Sequence, residues 1–361
     1  MAKKPKASAS LAAAIAAKGY SWQSGTTPLS TLSLKQQQSY LGLRVTKETL
    51  AATERAIAAA SSLRALQAPA VAAPPAIDWR NNNGDWTTPV KDQQSCGSCV
   101  SFGTCGTFES RIKIACKSAT MAVDLSEAHL FYCGCGNCCD TGWDFGPALD
   151  FCKQTGVAND ADFPYTPGNQ PCKQGLAAYA KISGWTQIAA IPDRKTVLAT
   201  KGPVVGGLAV YQDFFSYRSG VYRHTQGALA GYHAVSVVGY DDSQSCWICK
   251  NSWNTTWGDN GWFRIGYGEC GMDSQFFFYD MDAICPVPQP TDDCKQYVAV
   301  LVRILQAARV NAALRACLRY YVCGIGPRPR CSASQIAVVK AVLAILKRCP
   351  QYRKPFCRAL G

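Results

Sequence analysis

Cysteine content constrains the fold of this chain more than any other feature. Twenty of its 361 residues are cysteines, and residues 1–76 contain none of them. This density is far above that of a typical cytosolic enzyme and indicates a disulfide framework formed in an oxidising compartment. We therefore expect a secreted or otherwise extracytoplasmic protein whose disulfides all lie beyond residue 76.

Charge divides the chain into three parts. Residues 1–76 carry 9 Lys/Arg against 2 Asp/Glu, residues 77–285 carry 15 against 20, and residues 286–361 carry 13 against 2. The net charges are therefore +7, −5 and +11. Basic flanks bind nucleic acid or membrane surfaces in some proteins. For the N-terminal flank we favour docking on the acidic centre, and for the C-terminal flank a solvated basic surface is equally compatible with the sequence.

The N-terminus leaves two interpretations open. Lys3, Lys4 and Lys6 precede a short Ala-rich run, Leu11–Ala17, and Lys18 follows at once. This pattern fits either a signal peptide or an amphipathic surface helix. No run of about 18 apolar residues occurs, so we expect no transmembrane segment.

Three distant segments carry groups that can act together in nucleophilic catalysis. They are Gln93–Cys99, Gly231–Val235 and Cys249–Trp253, and they supply a thiol, an imidazole and a carboxamide. A nucleophile, a base and an orienting group form a catalytic triad when the fold brings them together. Cys96-Gly97-Ser98-Cys99, with a histidine and an asparagine roughly 130–150 residues downstream, matches a known local signature.

With these segments, residues 77–285 resemble the papain-like cysteine peptidases. Further ordered matches run nearly end to end: Asp78-Trp79-Arg80, Pro89–Gln93, Leu125-Ser126-Glu127, Phe163-Pro164-Tyr165, Gly202-Pro203-Val204, Tyr217–Tyr222, Trp257–Trp262 and Gly268–Gly271. Val100 departs from the aromatic residue of the signature. The resemblance implies an α+β fold of two lobes, helical near residues 96–160 and β-rich near 180–275, with the active site between them.

The resemblance assigns a role to each candidate catalytic residue. Cys99 becomes the nucleophile at the start of a helix, Cys99–Lys117, where the helix dipole and a protonated histidine lower a thiol pKa. A disulfide at Cys99 is the alternative. His233 becomes the acid/base at the start of a strand, Ala234–Tyr240, and is preferred over His129 and His224.

Three neighbours would support this pair. Asn251, after the strand Cys246–Lys250, would orient the imidazole, and Trp253 would shield their hydrogen bond from water. The side-chain amide of Gln93 would stabilise the oxyanion together with the Cys99 backbone N–H.

The resemblance also places the substrate. The backbone of Gly142 would pair with an extended peptide, although Thr141 replaces the family's preceding glycine. The pocket for the second residue before the scissile bond would be lined by Gly207, Gly231 and Ala234, with Gln275 near its floor. These small side chains predict a roomy pocket that accepts a bulky residue. The region Cys133–Trp143 contains no histidine, unlike the occluding loop of cathepsin B, and this predicts an endopeptidase.

The clustered cysteines at Cys133–Cys139 have the spacing of zinc ligands, with His129 nearby. The resemblance instead implies disulfides, Cys133–Cys172 and Cys96 with either Cys138 or Cys139. Cys249–Cys270 is expected as a third bridge. No metal and no cofactor are therefore expected.

Residues 1–76 resemble a short pro-segment of cathepsin B-like precursors followed by a linker. The matching order is Trp22–Gly25, Leu32–Ser39 and Leu41-Gly42-Leu43. A helix is predicted over Thr49–Leu66, and the Pro/Ala-rich linker 68–76 is where such a segment would be removed. A disordered tail is the alternative. The partners expected are a peptide or protein substrate and the chain's own pro-segment in the cleft.

Residues 286–293 form a Pro-rich linker to a basic, cysteine-rich helical module at residues 294–361. Helical spacing covers Cys294–Val322 and Ser332–Arg348, and Ser332 and Gln335 form a predicted capping box. Six cysteines can staple a helical hairpin in any of 15 ways.

Taken together, the residues predict a cysteine endopeptidase made as a zymogen. The alternative is a catalytically impaired binding scaffold in which Val100 or the crowded cysteines disturb the site. A separate hypothesis has the C-terminal module binding an anionic surface, which can be a membrane, a nucleic acid or a bacterial surface.

Overall fold

The computed structural model describes residues 7–66, 73–286 and 292–361. They divide into two compact units, Met1–Cys285 and Pro286–Gly361. Lys3, Lys4 and Lys6, much of the predicted linker 68–76, and most of the Pro-rich linker 286–293 lie outside the described residues or have no described side chains.

The N-terminal segment, residues 7–66, folds as short elements laid along the first unit. They are α1 (Ala7–Ala17), β1 (Gln23–Ser24), a 3₁₀ turn (Leu29–Thr31), α2 (Leu34–Gln38) and α3 (Lys47–Ala65). The predicted helix at Thr49 begins two residues earlier because Thr46 caps it, its hydroxyl accepting from the Thr49 N–H. Leu11 and Ile15, one helical turn apart, are both buried, so α1 has one packed face.

A helical core forms the first half of residues 77–285. It contains α4 (Cys99–Ala115), a π-helical turn (His129–Cys133), α5 (Phe145–Gln154) and a 3₁₀ turn (Asp160–Asp162). Every residue from Cys99 to Lys113 is buried, which makes α4 a central helix. Two of its charged side chains are paired: Arg111 contacts Asp280 at 2.8 Å, and Glu109 contacts Lys91 at 3.3 Å. Lys113 donates instead to backbone carbonyl oxygens.

A mainly antiparallel eight-stranded sheet forms the second half. Its strands are β2 (Ala76–Asp78), β3 (Ile182–Ile188), β4 (Val204–Tyr211), β6 (Val221–Tyr222), β7 (Leu229–Asp241), β8 (Cys246–Lys250), β9 (Trp262–Gly266) and β10 (Phe278–Ala283). Their order in the sheet is β3-β10-β4-β7-β8-β9-β6, with β2 also paired to β7. Strand β5 (Tyr217–Ser219) pairs instead with β1 of the N-terminal segment. Between β3 and β4 lies α6 (Ile191–Thr200), and 3₁₀ turns occupy Gln212–Ser216 and Glu269–Gly271.

Strand β7 is longer than the sequence predicts. It begins at Leu229 rather than Ala234, because its first half pairs with β4 from Leu229 to Val237. Its second half pairs with β8, which places His233 and Asn251 on neighbouring strands.

Seven disulfides confirm part of the predicted framework. Cys96 pairs with Cys139 and Cys133 pairs with Cys172. The remaining five are Cys116–Cys285, Cys135–Cys138, Cys294–Cys349, Cys317–Cys331 and Cys323–Cys357. The pairing of all four thiols at Cys133–Cys139 in disulfides removes the thiolates that a zinc site there requires.

The predicted Cys249–Cys270 bridge is wrong. Both thiols are free and buried, as are those of Cys99, Cys105, Cys152 and Cys246. Both belong to the same apolar core, but they do not meet: the Cys270 sulfur lies beside the Tyr222 hydroxyl. A buried thiol serves in such a core as a small apolar side chain.

The second unit has its own core and more helices than the predicted hairpin. They are α7 (Asp292–Val310), α8 (Ala312–Cys323), α9 (Ala333–Arg348), a 3₁₀ turn (Pro350–Tyr352) and α10 (Arg353–Ala359). The predicted helix Cys294–Val322 is divided at Asn311, whose side chain caps α8. The predicted capping box at Ser332 and Gln335 is confirmed. Within the described ranges, we find no helix that is long and apolar enough to cross a membrane.

Candidate active site

Cys99 is the first residue of the central helix α4 and is completely buried. Burial raises the pKa of its thiol to about 12, and the backbone N–H groups of Ala234 and Gly42 oppose this by favouring the thiolate. The expected low pKa is therefore wrong for the covered site seen here. Desolvation by the chain above Cys99 outweighs the helix dipole, so the thiol is uncharged at neutral pH.

His233 and Asn251 form a buried pair next to Cys99. The His233 Nε2 atom lies 2.8 Å from Asn251 Oδ1, and Ala234, the next residue, directs its N–H at the Cys99 thiol. His233 Nδ1 is buried and has no hydrogen-bond partner. Burial lowers the pKa of His233 to about 4 despite the Asn251 hydrogen bond. The covered pair is therefore a neutral thiol and a neutral imidazole.

The other two histidines lie elsewhere. His129 Nδ1 accepts from the Ala158 N–H at 3.0 Å inside the helical core. His224 Nδ1 lies 3.2 Å from Asp213 Oδ1, and its ring stacks on Tyr211. Of the three histidines, His233 is the one whose chain neighbour, Ala234, contacts Cys99.

Trp253 covers the His233–Asn251 pair. Its ring centroid lies 4.6 Å from that of His233, and the side chain is 1% exposed. Phe215 stacks on it at 5.3 Å, so the indole is held from both sides. The structure places Trp253 where the resemblance predicts a shield against water.

Gln93 is fully buried, and its side-chain amide is held at both ends. Its Oε1 accepts from Ser252 Oγ at 2.7 Å, which fixes the amide so that Nε2 is the donor. Nε2 donates to the carbonyl oxygens of Cys96 at 2.9 Å and of Tyr40 at 3.1 Å. A carbonyl group of the N-terminal segment therefore occupies the donor that an oxyanion would use.

Residues 40–44, which we call the cleft segment, run over Cys99, and Leu43 forms an isolated β-bridge with Trp143. The Trp143 N–H donates to the Gly42 carbonyl at 2.8 Å, and the Arg44 N–H donates to the Trp143 carbonyl at 3.0 Å. On the other side, the Leu43 N–H donates to the Tyr232 carbonyl at 3.2 Å. The cleft segment thus bridges the helical core and the sheet by backbone hydrogen bonds.

The predicted substrate residues lie around the cleft segment, with one difference. The backbone of Trp143, rather than that of Gly142, forms the pairing, and Gly142 packs directly on Gly42. A Cβ atom on Gly142 would lie 2.3 Å from the Gly42 carbonyl oxygen, so glycine is needed there for close approach.

Leucines of the cleft segment fill the predicted pocket. A Cβ atom on Gly207 would lie 2.6 Å from Leu43 Cδ2, and one on Gly231 would lie 2.9 Å from Leu41 Cδ1. Ala234 is buried beside them. A cavity of about 240 Å³ adjoins Leu43 and is lined in part by Gln275 and Phe276.

Other contacts anchor the N-terminal segment beyond the cleft. Arg44 pairs with Asp144, Arg64 pairs with Asp193 at 2.8 Å, and Trp22 is 2% exposed among the rings of Tyr217 and Tyr222. The predicted docking of the basic N-terminal flank on the acidic centre is confirmed by these pairs.

Comparison with known proteins agrees with this geometry. The family described as papain family cysteine protease matches residues 73–279. The chain belongs to the papain family of cysteine proteases. Among curated relatives, the cathepsin B-like CP1 of Giardia intestinalis is 35% identical over 226 residues, which cover 58% of this chain and 74% of that protein.

Solved structures of papain-family proteases resemble the fold. ProCathepsin B S9 from Trypanosoma congolense has a TM-score of 0.63 at 22% identity and covers 78% of this chain and 98% of its own. The bromelain protease from Ananas comosus, solved in complex with the E64 inhibitor, has a TM-score of 0.50 at 30% identity and covers 58% of this chain and 99% of its own. The predicted papain-like α+β fold is confirmed.

Sequence reasoning missed several groups that shape the cleft of this papain-family protease. Tyr232 and Trp143 act through backbone atoms, which side-chain patterns do not reveal. Phe276 packs against Tyr232 with ring centroids 5.9 Å apart and narrows the pocket. Its position directly after Gln275 in the sequence is a signal that could have found it.

Proposed function

We propose that this chain is the precursor of a papain-like cysteine endopeptidase with Cys99 as nucleophile. Cys99 Sγ attacks the carbonyl carbon of a peptide bond after His233 takes the thiol proton. The C–N bond then breaks, His233 protonates the leaving amine, and a thioester remains on Cys99. Water hydrolyses the thioester with His233 as base, which restores the thiol and releases the carboxylic acid.

Asn251 and Gln93 would support this reaction without forming covalent bonds. Asn251 holds the imidazole through Nε2, which leaves Nδ1 for proton exchange with the thiol. Gln93 would donate from Nε2 to the oxygen of the tetrahedral intermediate. The observation that carries the proposal is the hydrogen bond from Gln93 Nε2 to the Tyr40 carbonyl, because there a peptide oxygen already sits at the proposed oxyanion donor.

The same contacts support an inactive precursor. The cleft segment covers Cys99, and the thiol and imidazole beneath it are both uncharged at neutral pH. Removal of the residues before about position 76 would open the cleft. The seven disulfides fit an oxidising compartment, and we propose that the protein is secreted or extracytoplasmic.

The pocket favours a bulky residue two positions before the scissile bond. Leu43 fills the space beside Gly207, and the adjoining cavity extends toward Gln275. Gln275 now donates to Glu54 Oε1 at 2.7 Å, and removal of the N-terminal segment would free it for a polar side chain of the substrate. A peptide-library profile that prefers glycine or alanine at this position would contradict the assignment.

An endopeptidase is preferred over an exopeptidase because the loop Cys133–Trp143 has no histidine to bind a substrate terminus. The competing binding-scaffold hypothesis drew on Val100. This side chain is fully buried in the apolar core that contains the helices. It gives no structural reason for a disturbed site.

Labelling with an irreversible epoxide inhibitor of thiol peptidases tests the proposal, with the modified residue located by mass spectrometry. We expect Cys99 to be labelled only after acidification has removed the N-terminal segment. Labelling of Cys99 in the intact chain at neutral pH would support the enzyme assignment, but it would show that the N-terminal segment does not inhibit it. An intact fold in which Cys99 is never labelled would establish the binding scaffold instead.

A further inference from the structure

The C-terminal module, residues 294–361, is extreme in its charge. It contains thirteen Lys/Arg and no Asp or Glu over 68 residues, and only Asp292 and Asp293 immediately precede it. An excess of this size cannot be neutralised within the module. A basic surface of this kind attracts an anionic partner.

The module has a packed apolar core of its own, so its Lys and Arg side chains lie on the surface of a folded domain. Its core includes Leu318, Val322, Val342 and Phe356, and three disulfides join its helices internally. A domain of this small size gains much of its stability from such bridges.

Aliphatic side chains are exposed on the same surface. Six large apolar residues of the module are exposed, whereas residues 77–285, three times as long, expose two, Leu229 and Ile284. The six are Val298, Val300, Val302, Val310, Ile325 and Leu343. Charges kept only for solubility would not require this excess of exposed apolar groups.

Cations and aliphatic side chains share helix faces. On α9, Lys340, Leu343 and Lys347 are exposed at a spacing of three and four residues, and the buried Val339 and Val342 lie on the adjoining side of the helix. On α7, Val298 and Val302 are exposed one turn apart. Cations beside apolar side chains on one face are typical of helices that lie in the interface of an anionic bilayer.

The aromatic residues argue against nucleic acid. Single-stranded nucleic acids are bound largely by stacking of bases on exposed aromatic rings. In the described part of the module, the four tyrosines are half-buried and Phe356 is buried. Aliphatic groups, which insert between lipid headgroups but do not stack on bases, are the exposed apolar class here.

We propose that the C-terminal module binds the surface of membranes rich in anionic lipid, with its lysines and arginines on the headgroups and Leu343 inserted beside them. Binding occurs at the interface and does not span the bilayer. It would hold the protease at a lipid surface, independently of the reaction proposed for Cys99.

The test uses the full chain carrying Cys99→Ser, which prevents self-cleavage. Its co-sedimentation with vesicles of phosphatidylcholine alone is compared with that of an equal mixture with phosphatidylglycerol. We expect binding only to the mixed vesicles, weakening steadily as salt is raised. Because each lysine at such a surface strengthens binding roughly fivefold, Lys340→Glu with Lys347→Glu should weaken it by at least about 25-fold.

Two matched variants separate the explanations. Lys117→Glu with Lys153→Glu makes the same charge change on exposed lysines of the first unit, and it should leave binding nearly unchanged. Leu343→Ser keeps the charge and should weaken vesicle binding about fivefold or more by removing the inserted side chain. Unchanged thermal unfolding of each variant would confirm that it is folded.

Three results would overturn the proposal. The first is equal binding to both kinds of vesicle, and the second is no binding to either. The third is tighter binding to duplex or single-stranded DNA than to mixed vesicles, with no effect of Leu343→Ser. That pattern would indicate that the module binds nucleic acid instead of a membrane surface.

Discussion

At the residue scale, the buried polar side chains of the site determine which hydrogen-bond donors face the cleft. Ser252 binds the oxygen end of the Gln93 amide, so the nitrogen end faces the Tyr40 carbonyl. Asn251 binds Nε2 of His233 in the same way and leaves Nδ1 on the other side of the ring. Neighbouring residues thus preset the orientation of both groups before any substrate arrives.

Replacement of Gln93 tests its proposed role as an oxyanion donor. In the activated enzyme, Gln93→Ala should lower kcat by about 10²–10³ with a smaller change in KM, because the donor acts mainly in the transition state. Steady-state kinetics, normalised by titration of active Cys99, measure the effect. Gln94→Ala is the matched control because Gln94 is the exposed neighbour. Equal losses in both variants would indicate a structural role only.

At the scale of elements, the cleft segment holds the precursor closed by close backbone approach. A Cβ atom on Gly42 would lie 1.9 Å from the Gly97 carbonyl oxygen, far inside van der Waals contact. No flexible side chain can move aside there, since the obstacle is backbone. Residue 42 must therefore be glycine for the segment to lie over Cys99.

Gly42→Ala should open the precursor. The added methyl group forces residues 40–44 away from the site, so we expect epoxide labelling of Cys99 in the intact chain at neutral pH. Gly25→Ala is the control, because its Cβ would meet only the flexible Arg218 side chain, at 2.9 Å. If Gly42→Ala remains as unreactive as the unaltered chain, the cleft segment is not the element that blocks access.

The cleft segment should bind less tightly in acid, because opening the cleft allows His233 to become protonated. Burial lowers the pKa of His233 to about 4, whereas an uncovered imidazole titrates near its ordinary value of about 6.5. The uncovered state therefore binds a proton at a higher pH than the covered state. The free-energy difference that favours the covered state over the uncovered one has its full value above about pH 6.5. It falls by up to about 1.4 kcal/mol per pH unit as the pH falls toward 4.

Hydrogen exchange at the Leu43 and Arg44 amides, corrected for the intrinsic effect of pH, measures this loss in the Cys99→Ser chain. Exchange should accelerate between about pH 6.5 and 4. The acceleration should shrink in His233→Gln and persist in His224→Gln. If His233→Gln still shows the full acceleration, His233 is not the group through which acid loosens the cleft segment.

At the scale of the whole molecule, the two units have separate apolar cores. The cores of the first unit lie among residues 11–281, and the core of the second lies among residues 301–360. All three disulfides of the second unit are internal to it. Each unit therefore has the contacts that cooperative unfolding requires.

Calorimetry should show two transitions that respond to different substitutions. Cys317→Ala with Cys331→Ala removes a bridge that closes a loop of 14 residues, and it should destabilise the second unit by about 3 kcal/mol. The transition of the first unit should not move. Replacing both cysteines of the Cys135–Cys138 disulfide, which lies in the first unit, is the reciprocal control. It should leave the transition of the second unit where it is. A shift of both transitions by either pair would show that the units unfold together.

The sequence alone was sufficient to predict the family, the papain-like fold and many of the elements. Cys99, His233, Asn251 and Gln93 could be chosen because their residue types and spacing match one chemical signature. Strand Cys246–Lys250 and the capping box at Ser332 and Gln335 depend on local patterns, and they were predicted close to their observed bounds. Local propensity and side-chain chemistry are encoded within a few residues, so they can be read without the fold.

Only the tertiary structure decided the contacts that depend on distance and burial. It paired Cys96 with Cys139 rather than Cys138, left Cys249 and Cys270 apart, and showed that Trp143 rather than Gly142 pairs with the cleft segment. It also reversed the expected pKa shift of Cys99, because desolvation depends on what covers the thiol rather than on its helix position. These properties arise from residues far apart in the chain, and their packing determines which of several chemically acceptable partners actually meet.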